Sequence, residues 1–217
     1  METKYINYSW SEYTKYTNAI FEFCDFTGTN FQNASFEGVT FKKCLFLKCN
    51  TDHIGLWNCN FIECEFKNVD LRNVPIGADG GVLKQCLFYK CDFRGQHFWS
   101  PFFEECVFER CKLKNINFND ASFLKCKFIG KLEDVTFNGI YHKVKREIKP
   151  LEYIDFSESI FGDYVGFEDC DLSTCIPPTG KQFKELLYIA DLNDLKYLST
   201  GSKDRYVIPK KNIISNQ

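Results

Sequence analysis

At 217 residues, with 44% hydrophobic and 26% charged side chains and a formal net charge of −2, the chain has the composition of a folded protein and not of a disordered one. The balance of 27 basic against 29 acidic side chains excludes a generally basic nucleic-acid binder, and no apolar run approaches the roughly 18 residues of a membrane span. Twelve cysteines and 23 phenylalanines are the outliers, and their spacing organises everything that follows.

Residues 1–18 carry Tyr5, Tyr8, Trp10, Tyr13 and Tyr16 and read as a cap segment. They contain no apolar h-region of the kind an export signal has. From Phe21 a large apolar residue recurs every five positions, through Phe26, Phe31, Phe36, Phe41, Phe46, Leu56, Phe61, Phe66 and Leu71 to Ile76, and Thr51 alone breaks the series. All twelve cysteines sit two residues before such an anchor or its equivalent, as in Cys24-Asp25-Phe26 and Cys64-Glu65-Phe66, and twenty of the 23 phenylalanines are anchors. With the anchor called i, position i−2 is small and apolar while i−1, i+1 and i+2 are mostly polar. Neither the helical period near 3.6 nor strand alternation produces a strict five, and self-similarity at a fixed period marks a solenoid.

Gly77-Ala78-Asp79-Gly80-Gly81-Val82 interrupts the repeat, which then runs from Leu83 through Phe88, Phe93, Phe98, Phe103, Phe108, Leu113, Phe118 and Phe123 to Phe128. The stretch from Phe128 to Leu151 is disturbed. Its part at residues 139–150 reads as a loop leaving the scaffold, and such loops carry binding. Tyr141, His142, Lys143, Lys145, Arg146 and Lys149 are its candidate partner-binding residues. The repeat returns at Leu151, Phe156 and Phe161 and, one residue out of step, at Phe167 and Leu172, before Pro177-Pro178. Thr179-Gly180-Lys181-Gln182 then has the form of a capping box. It predicts a helix whose apolar face is Phe183, Leu186, Leu187 and Ala190, followed by a second short helix from Asp191 to Leu198.

Two residues pointing inward in every five make a narrow core with a polar sleeve. Ala34-Ser35-Phe36-Glu37-Gly38 and Cys91-Asp92-Phe93-Arg94-Gly95 resemble the pentapeptide repeat family over residues 19–176. That resemblance implies an all-β solenoid, a right-handed quadrilateral β-helix in which four pentapeptides make one coil. The cysteines support a coil of this length independently. Cys24, Cys44 and Cys64 are 20 residues apart, Cys86 follows after 22, and Cys106 and Cys126 restore 20. At the roughly 4.8 Å separation of paired strands, about seven coils make a rod on the order of 35 Å long. In related proteins a C-terminal helical segment caps the coil and makes a dimer contact, which assigns the apolar face of the 177–217 segment as a candidate homodimer surface.

Stacked cysteines point the same way at roughly a strand spacing, too far for a disulfide, and Cys44/Cys49, Cys59/Cys64, Cys86/Cys91 and Cys106/Cys111 fall on adjacent walls of the square. They are expected to be core, with neither metal nor cofactor, and free thiols without an export signal point to the cytoplasm. No G-x-S-x-G, complete phosphate loop, G-x-G-x-x-G or H-E-x-x-H is present. His53, His97 and His142 lie in separate coils or loops, so no enzyme activity is expected.

Function is therefore sought on the surface. Over residues 18–176 there are 23 acidic and 18 basic side chains, a net charge of −5. Glu152, Asp155, Glu158, Asp163, Glu168, Asp169 and Asp171 form an acidic C-terminal block, and Arg110, Lys112, Lys114, Lys125, Lys127 and Lys131 a basic one before it. Trp57 and Trp99 are expected on one face two coils apart, and Leu45, Leu47, Leu87 and Tyr89 on another; exposed apolar surface of this kind marks interaction sites. Interruption of the coil by loops is similar to the gyrase-protecting proteins of the quinolone-resistance group. The resemblance implies a protein partner, DNA gyrase or topoisomerase IV, met by partial DNA mimicry without direct nucleic-acid or membrane binding. The alternative is a scaffold for an unrelated protein.

Overall fold

The computed structural model describes residues 3–10, 14–118, 120–138, 151–168, 170–186, 188–189 and 205–207. Each pentapeptide becomes one side of a square. Around Phe46 the cycle is plain: Cys44 and Phe46 are buried, Leu45 and Leu47 are half-buried, and Lys48 turns the corner with φ at 53°. The same left-handed corner is made by Lys43, Glu63, Asn68, Lys90 and Lys125, although only some of these are the Asn or Gly that tolerate it. A left-handed non-glycine residue costs about 1–2 kcal/mol. Burial of one anchor phenylalanine returns about 1.5–3 kcal/mol, so the repeat can sustain a strained corner on every side.

Four walls result. Wall one stacks Ile20–Glu22, Thr40–Lys42, Asn60–Ile62, Val82–Lys84, Phe102–Glu104, Ser122–Leu124 and Leu151–Glu152 as seven parallel strands, separated by six turns. Wall two holds Thr3–Lys4, Cys24–Asp25, Leu45–Leu47, Glu65–Lys67, Leu87–Tyr89 and Val107–Glu109. Wall three is joined by single bridges at Asn30, Asn50, Asp70, Asp92 and Lys112, and wall four by Lys15–Thr17, Ser35–Glu37, Gly55–Trp57 and then Ala78, His97 and Asn117. The architecture is the expected parallel β-solenoid.

Inside, anchors stack ring on ring along each wall. Phe46, Phe66, Phe88, Phe108 and Phe128 form one column with centroid separations of 4.7, 4.9, 5.0 and 4.8 Å. Rings on neighbouring walls meet edge to face, as Phe41 and Phe46 do at 5.5 Å and 73°; both geometries are favoured for aromatic pairs. The N-terminal segment obeys the same rule. Tyr5 stacks on Phe26, Trp10 on Phe31 and Tyr16 on Phe36, so residues 3–10 and 14–17 lie over the first phenylalanine coil and continue its walls.

The register carries the insertions. Phe41 lies opposite Phe61, 20 residues on, but Trp57 lies opposite Ala78 and Phe61 opposite Leu83, offsets of 21 and 22. One residue is thus added on each side of Ala78. Gly81 is required there, because a Cβ would stand 2.3 Å from the Cys59 carbonyl oxygen. Beyond Phe128 the coil persists where the sequence reads as disturbed: Lys127–Asn138 is one long strand, with Leu132 opposite Leu113 and Phe137 stacked on Phe118. The irregularity is a coil one residue short, at an offset of 19, and not a loss of fold.

The C-terminal end differs from expectation. The helix is a single turn, Phe183–Leu186, in which the Gln182 N–H donates to Glu185 Oε2 at 3.0 Å, while Thr179 Oγ1 donates to the Ser157 carbonyl and not to a helix. Tyr188–Ile189 is already extended and pairs antiparallel with Arg205–Val207, which pairs antiparallel with Val165–Glu168. So short a helix is marginal alone, and strand pairing takes the chain before Ala190. Leu187, Ala190 and the second helix expected over residues 191–198 lie outside the described residues.

Candidate partner-binding surface

Trp57 and Trp99 meet on wall four. Two coils should separate them by roughly 9.6 Å, yet their rings stack at 5.4 Å and 29°. The reason is the residue between them: Ala78, paired with Trp57, is buried and too small to hold the indoles apart. Beside the pair runs a groove of about 450 Å³ lined by Ile54, Gly55, Val74, Pro75, Gln96, His53, Asn73 and His97. Trp99 is 53% exposed. Around the corner a polar depression of about 440 Å³, lined by Asn50, Thr51, Asp52, Asp70 and Arg72, shares His53 and Asn73 with it. The two make one trough, apolar on wall four and polar on wall three.

Gln96 was not singled out by the sequence, although it is the one amide at an inward i−2 position. It is 2% exposed and its Nε2 donates to the Val74 carbonyl, which ties the groove floor to the coil before it. Ala78, inside the glycine-rich insertion, carries no signal of its own in the sequence.

The other apolar cluster is not continuous. Glu65 lies between Leu45 and Leu87, and Lys67 between Leu47 and Tyr89, and this Glu–Lys pair forms an ion pair that divides the leucines.

Charge blocks separate in sequence are stacked in space. Lys127 lies opposite Asp155, 28 residues on, and its Nζ reaches Asp155 at 3.2 Å and Glu158 at 2.7 Å. Lys114 and Lys131 both bind Glu133, which holds that carboxyl down at about 2. Glu168 is buried beside Asn138, Asp171 accepts the Ser173 N–H, and Asp169 lies outside the described residues. Glu152 and Asp163 are half-buried and Asp171 is exposed. On wall three, partial burial opposes the charge of Asp92, but Arg94 at 2.7 Å and Lys112 at 3.4 Å keep its carboxyl at about 2. The rod is a surface of neutralised ladders.

The candidate loop residues Tyr141, His142, Lys143, Lys145, Arg146 and Lys149 lie outside the described residues. The structure does place the loop's exit. The strand ends at Asn138 on wall four and the chain rejoins at Leu151 opposite Phe123 on wall one. The 77–82 insertion occupies the same corner, between Ala78 on wall four and Val82 on wall one. Phe183 and Leu186 pack on the last coil, with the Phe183 ring 6.4 Å from Phe156 and 6.1 Å from Phe167. All twelve cysteines are free thiols and ten are buried, and among the described residues no cluster of His, Cys, Asp or Glu could hold a metal ion.

A family model for pentapeptide repeats matches the chain in eight copies, with residues 12–46 matched. Among solved structures, a trypsin-treated form of QnrB1, a plasmid-mediated fluoroquinolone resistance protein, is 18% identical over 82% of this chain and 88% of its own, with a TM-score of 0.34. HetL, a pentapeptide repeat protein involved in heterocyst differentiation regulation from the cyanobacterium Nostoc sp. strain PCC 7120, is 12% identical over 81% of this chain and 86% of its own, with a TM-score of 0.38. No curated protein matches the chain. The five-residue repeat that this family model matches over residues 12–46 is wound here into four-walled coils, and in that the chain is similar to pentapeptide repeat proteins.

Proposed function

We propose that this chain is a non-catalytic binding rod whose partner is another protein, engaged along wall four. The stacked pair Trp57 and Trp99, with the trough beside it, carries this reading: Trp is enriched where protein surfaces bind, and here the half-buried Trp57 supports an exposed Trp99 on a rigid coil beside the corner that follows Asn138. Neutralised charge ladders argue against DNA mimicry along the whole rod, so contact through the tryptophan wall is favoured over contact through the acidic coils.

The partner to test first is a type II topoisomerase, DNA gyrase or topoisomerase IV, because the coil is interrupted by loops as in the gyrase-protecting group. In a supercoiling assay the protein is expected to restore activity to quinolone-inhibited gyrase, with the titration moved at least tenfold by Trp57→Ala with Trp99→Ala. Absence of any restoration at molar excess overturns the topoisomerase reading and leaves a scaffold for an unrelated protein. That second reading is favoured by the same trough, and it fails if the double variant retains every partner of the parent chain.

A further inference from the structure

Three carboxylates on the outward columns of wall three are matched to cations. Arg72 clasps Asp70, with Nε 2.9 Å from Oδ1 and Nη2 2.6 Å from Oδ2, Arg94 and Lys112 hold Asp92, and Lys114 and Lys131 hold Glu133. Asp52 differs: among the described residues no lysine or arginine pairs with it. Its contacts are the Gln32 amide, whose Nε2 donates to Oδ2 at 3.4 Å, and its neighbour His53, whose Nδ1 lies 2.9 Å from Oδ1. The Asp52 side chain is 57% exposed and lines the polar half of the trough. With Asp70 neutralised by Arg72, that half keeps one carboxylate charge. The apolar half is open for a separate reason. A Cβ on Gly55 would meet Trp57 Nε1 at 3.2 Å and Ser35 Oγ at 3.3 Å, so the Trp57 indole lies where a side chain would otherwise stand, and Trp99, stacked on it, keeps an exposed face.

On the reading of wall four as the docking face, on which this inference rests, we propose that the trough takes an extended segment of a partner protein that carries a lysine or arginine for Asp52 and an apolar side chain for Trp99. Asp52 shares a coil with Trp57, and Trp99 lies two coils on, roughly 9.6 Å along the rod. About three residues of extended chain, at roughly 3.3 Å each, cover that distance. The two contacts do different work. An exposed ion pair adds little strength but fixes orientation and partner choice, and the desolvated contact at Trp99 supplies the affinity. An acidic segment is repelled by the same carboxylate.

A phage library of short random peptides, selected on the full chain and counter-selected on Trp57→Ala with Trp99→Ala, tests this. The enriched peptides are expected to carry a lysine or arginine at the stated spacing from a leucine, proline or aromatic residue. With the strongest of them made synthetically and its binding followed by tryptophan fluorescence at low salt, Asp52→Asn is expected to raise the dissociation constant at least threefold. Gln32→Lys is expected to do the same while leaving the carboxylate in place, because a lysine at that position stands one coil from Asp52, as Lys42 stands one coil from Glu22 and pairs with it. Both substitutions are on the surface, and circular dichroism and the melting temperature are expected to stay unchanged. Enriched peptides that lack a cation or carry acidic residues in its place overturn the proposal, as does an affinity that both variants leave unaltered, and in each case the tryptophan wall stands as a docking face. Enrichment of the same peptides by the double-tryptophan variant, or of none by the parent chain, overturns wall four as the docking face and this proposal with it.

Discussion

At the residue scale, cysteine fills the i−2 position because it is small, apolar and still a donor. The thiols of Cys64, Cys86 and Cys106 donate to the carbonyls of Phe41, Phe61 and Leu83 in the preceding coil, at 3.3, 3.3 and 3.2 Å. Burial pushes the Cys59 thiol up to about 11 and the Cys49 thiol up to about 12, against roughly 8.5 in an unfolded chain. The folded state thus keeps protons that the unfolded chain releases. The contribution of these thiols is flat below about pH 8.5 and falls as pH rises toward the folded values, by about 1.4 kcal/mol per pH unit for each such thiol. Urea midpoints at pH 7, 9 and 10.5 are expected to drop steeply across the last interval, with the buried thiols unreactive to alkylation at pH 7 until denaturant is added. Thr51 is the residue-scale exception. It stands in the wall-three column between Phe31 and Leu71, its hydroxyl donates to the Asp70 carbonyl, and a cavity of about 20 Å³ lies beside it. Leucine there buries about 1.5–3 kcal/mol of apolar surface and forfeits a hydrogen bond worth about 0.5–1.5 kcal/mol. Thr51→Leu is therefore expected to stabilise the rod by about 1 kcal/mol, read as a higher urea midpoint at constant slope.

At the scale of the element, strands of two or three residues gain order only by being stacked. Their outward residues pair up and down the wall, as Lys42 with Glu22 at 2.8 Å and Lys84 with Glu104 at 2.9 Å. Such half-exposed pairs add little each, but a register slip would set like charges together. The short C-terminal strand has a different task. Arg205–Val207 lies between Val165–Glu168 and Tyr188–Ile189, so a proline at Val207 removes an N–H from a strand with partners on both sides. Val207→Pro is expected to speed hydrogen exchange at Val165–Glu168 and to open the last sheet edge. Light scattering should then grow with concentration, because an uncovered edge recruits other chains. An unchanged scattering profile with fast exchange would show that Phe183 and Leu186 suffice as the cap.

At the scale of the whole molecule, the period, the inward residues and the four-sided coil were legible in the sequence, because each depends on neighbours within five positions. Phe46 points inward and Lys48 turns a corner whatever lies in the next coil. Which residues meet between coils depends on the running sum of insertions, and no local signal carries that sum. The offsets of 21 and 22 at the glycine-rich step set Ala78 between Trp57 and Trp99 and so make the tryptophan stack. The offset of 28 across residues 139–150 lays the basic coil on the acidic one, turning two conspicuous blocks of charge into ion pairs such as Lys127 with Asp155 and Glu158. The C-terminal strand cover is longer in range still, and a helix signal in the sequence concealed it. The sequence by itself determined a pentapeptide coil with a phenylalanine core and cysteine spacers, because stacking repeats a local rule; the tertiary structure alone decided which surface stays apolar and which charges cancel, because those follow from contacts between coils 20 to 30 residues apart.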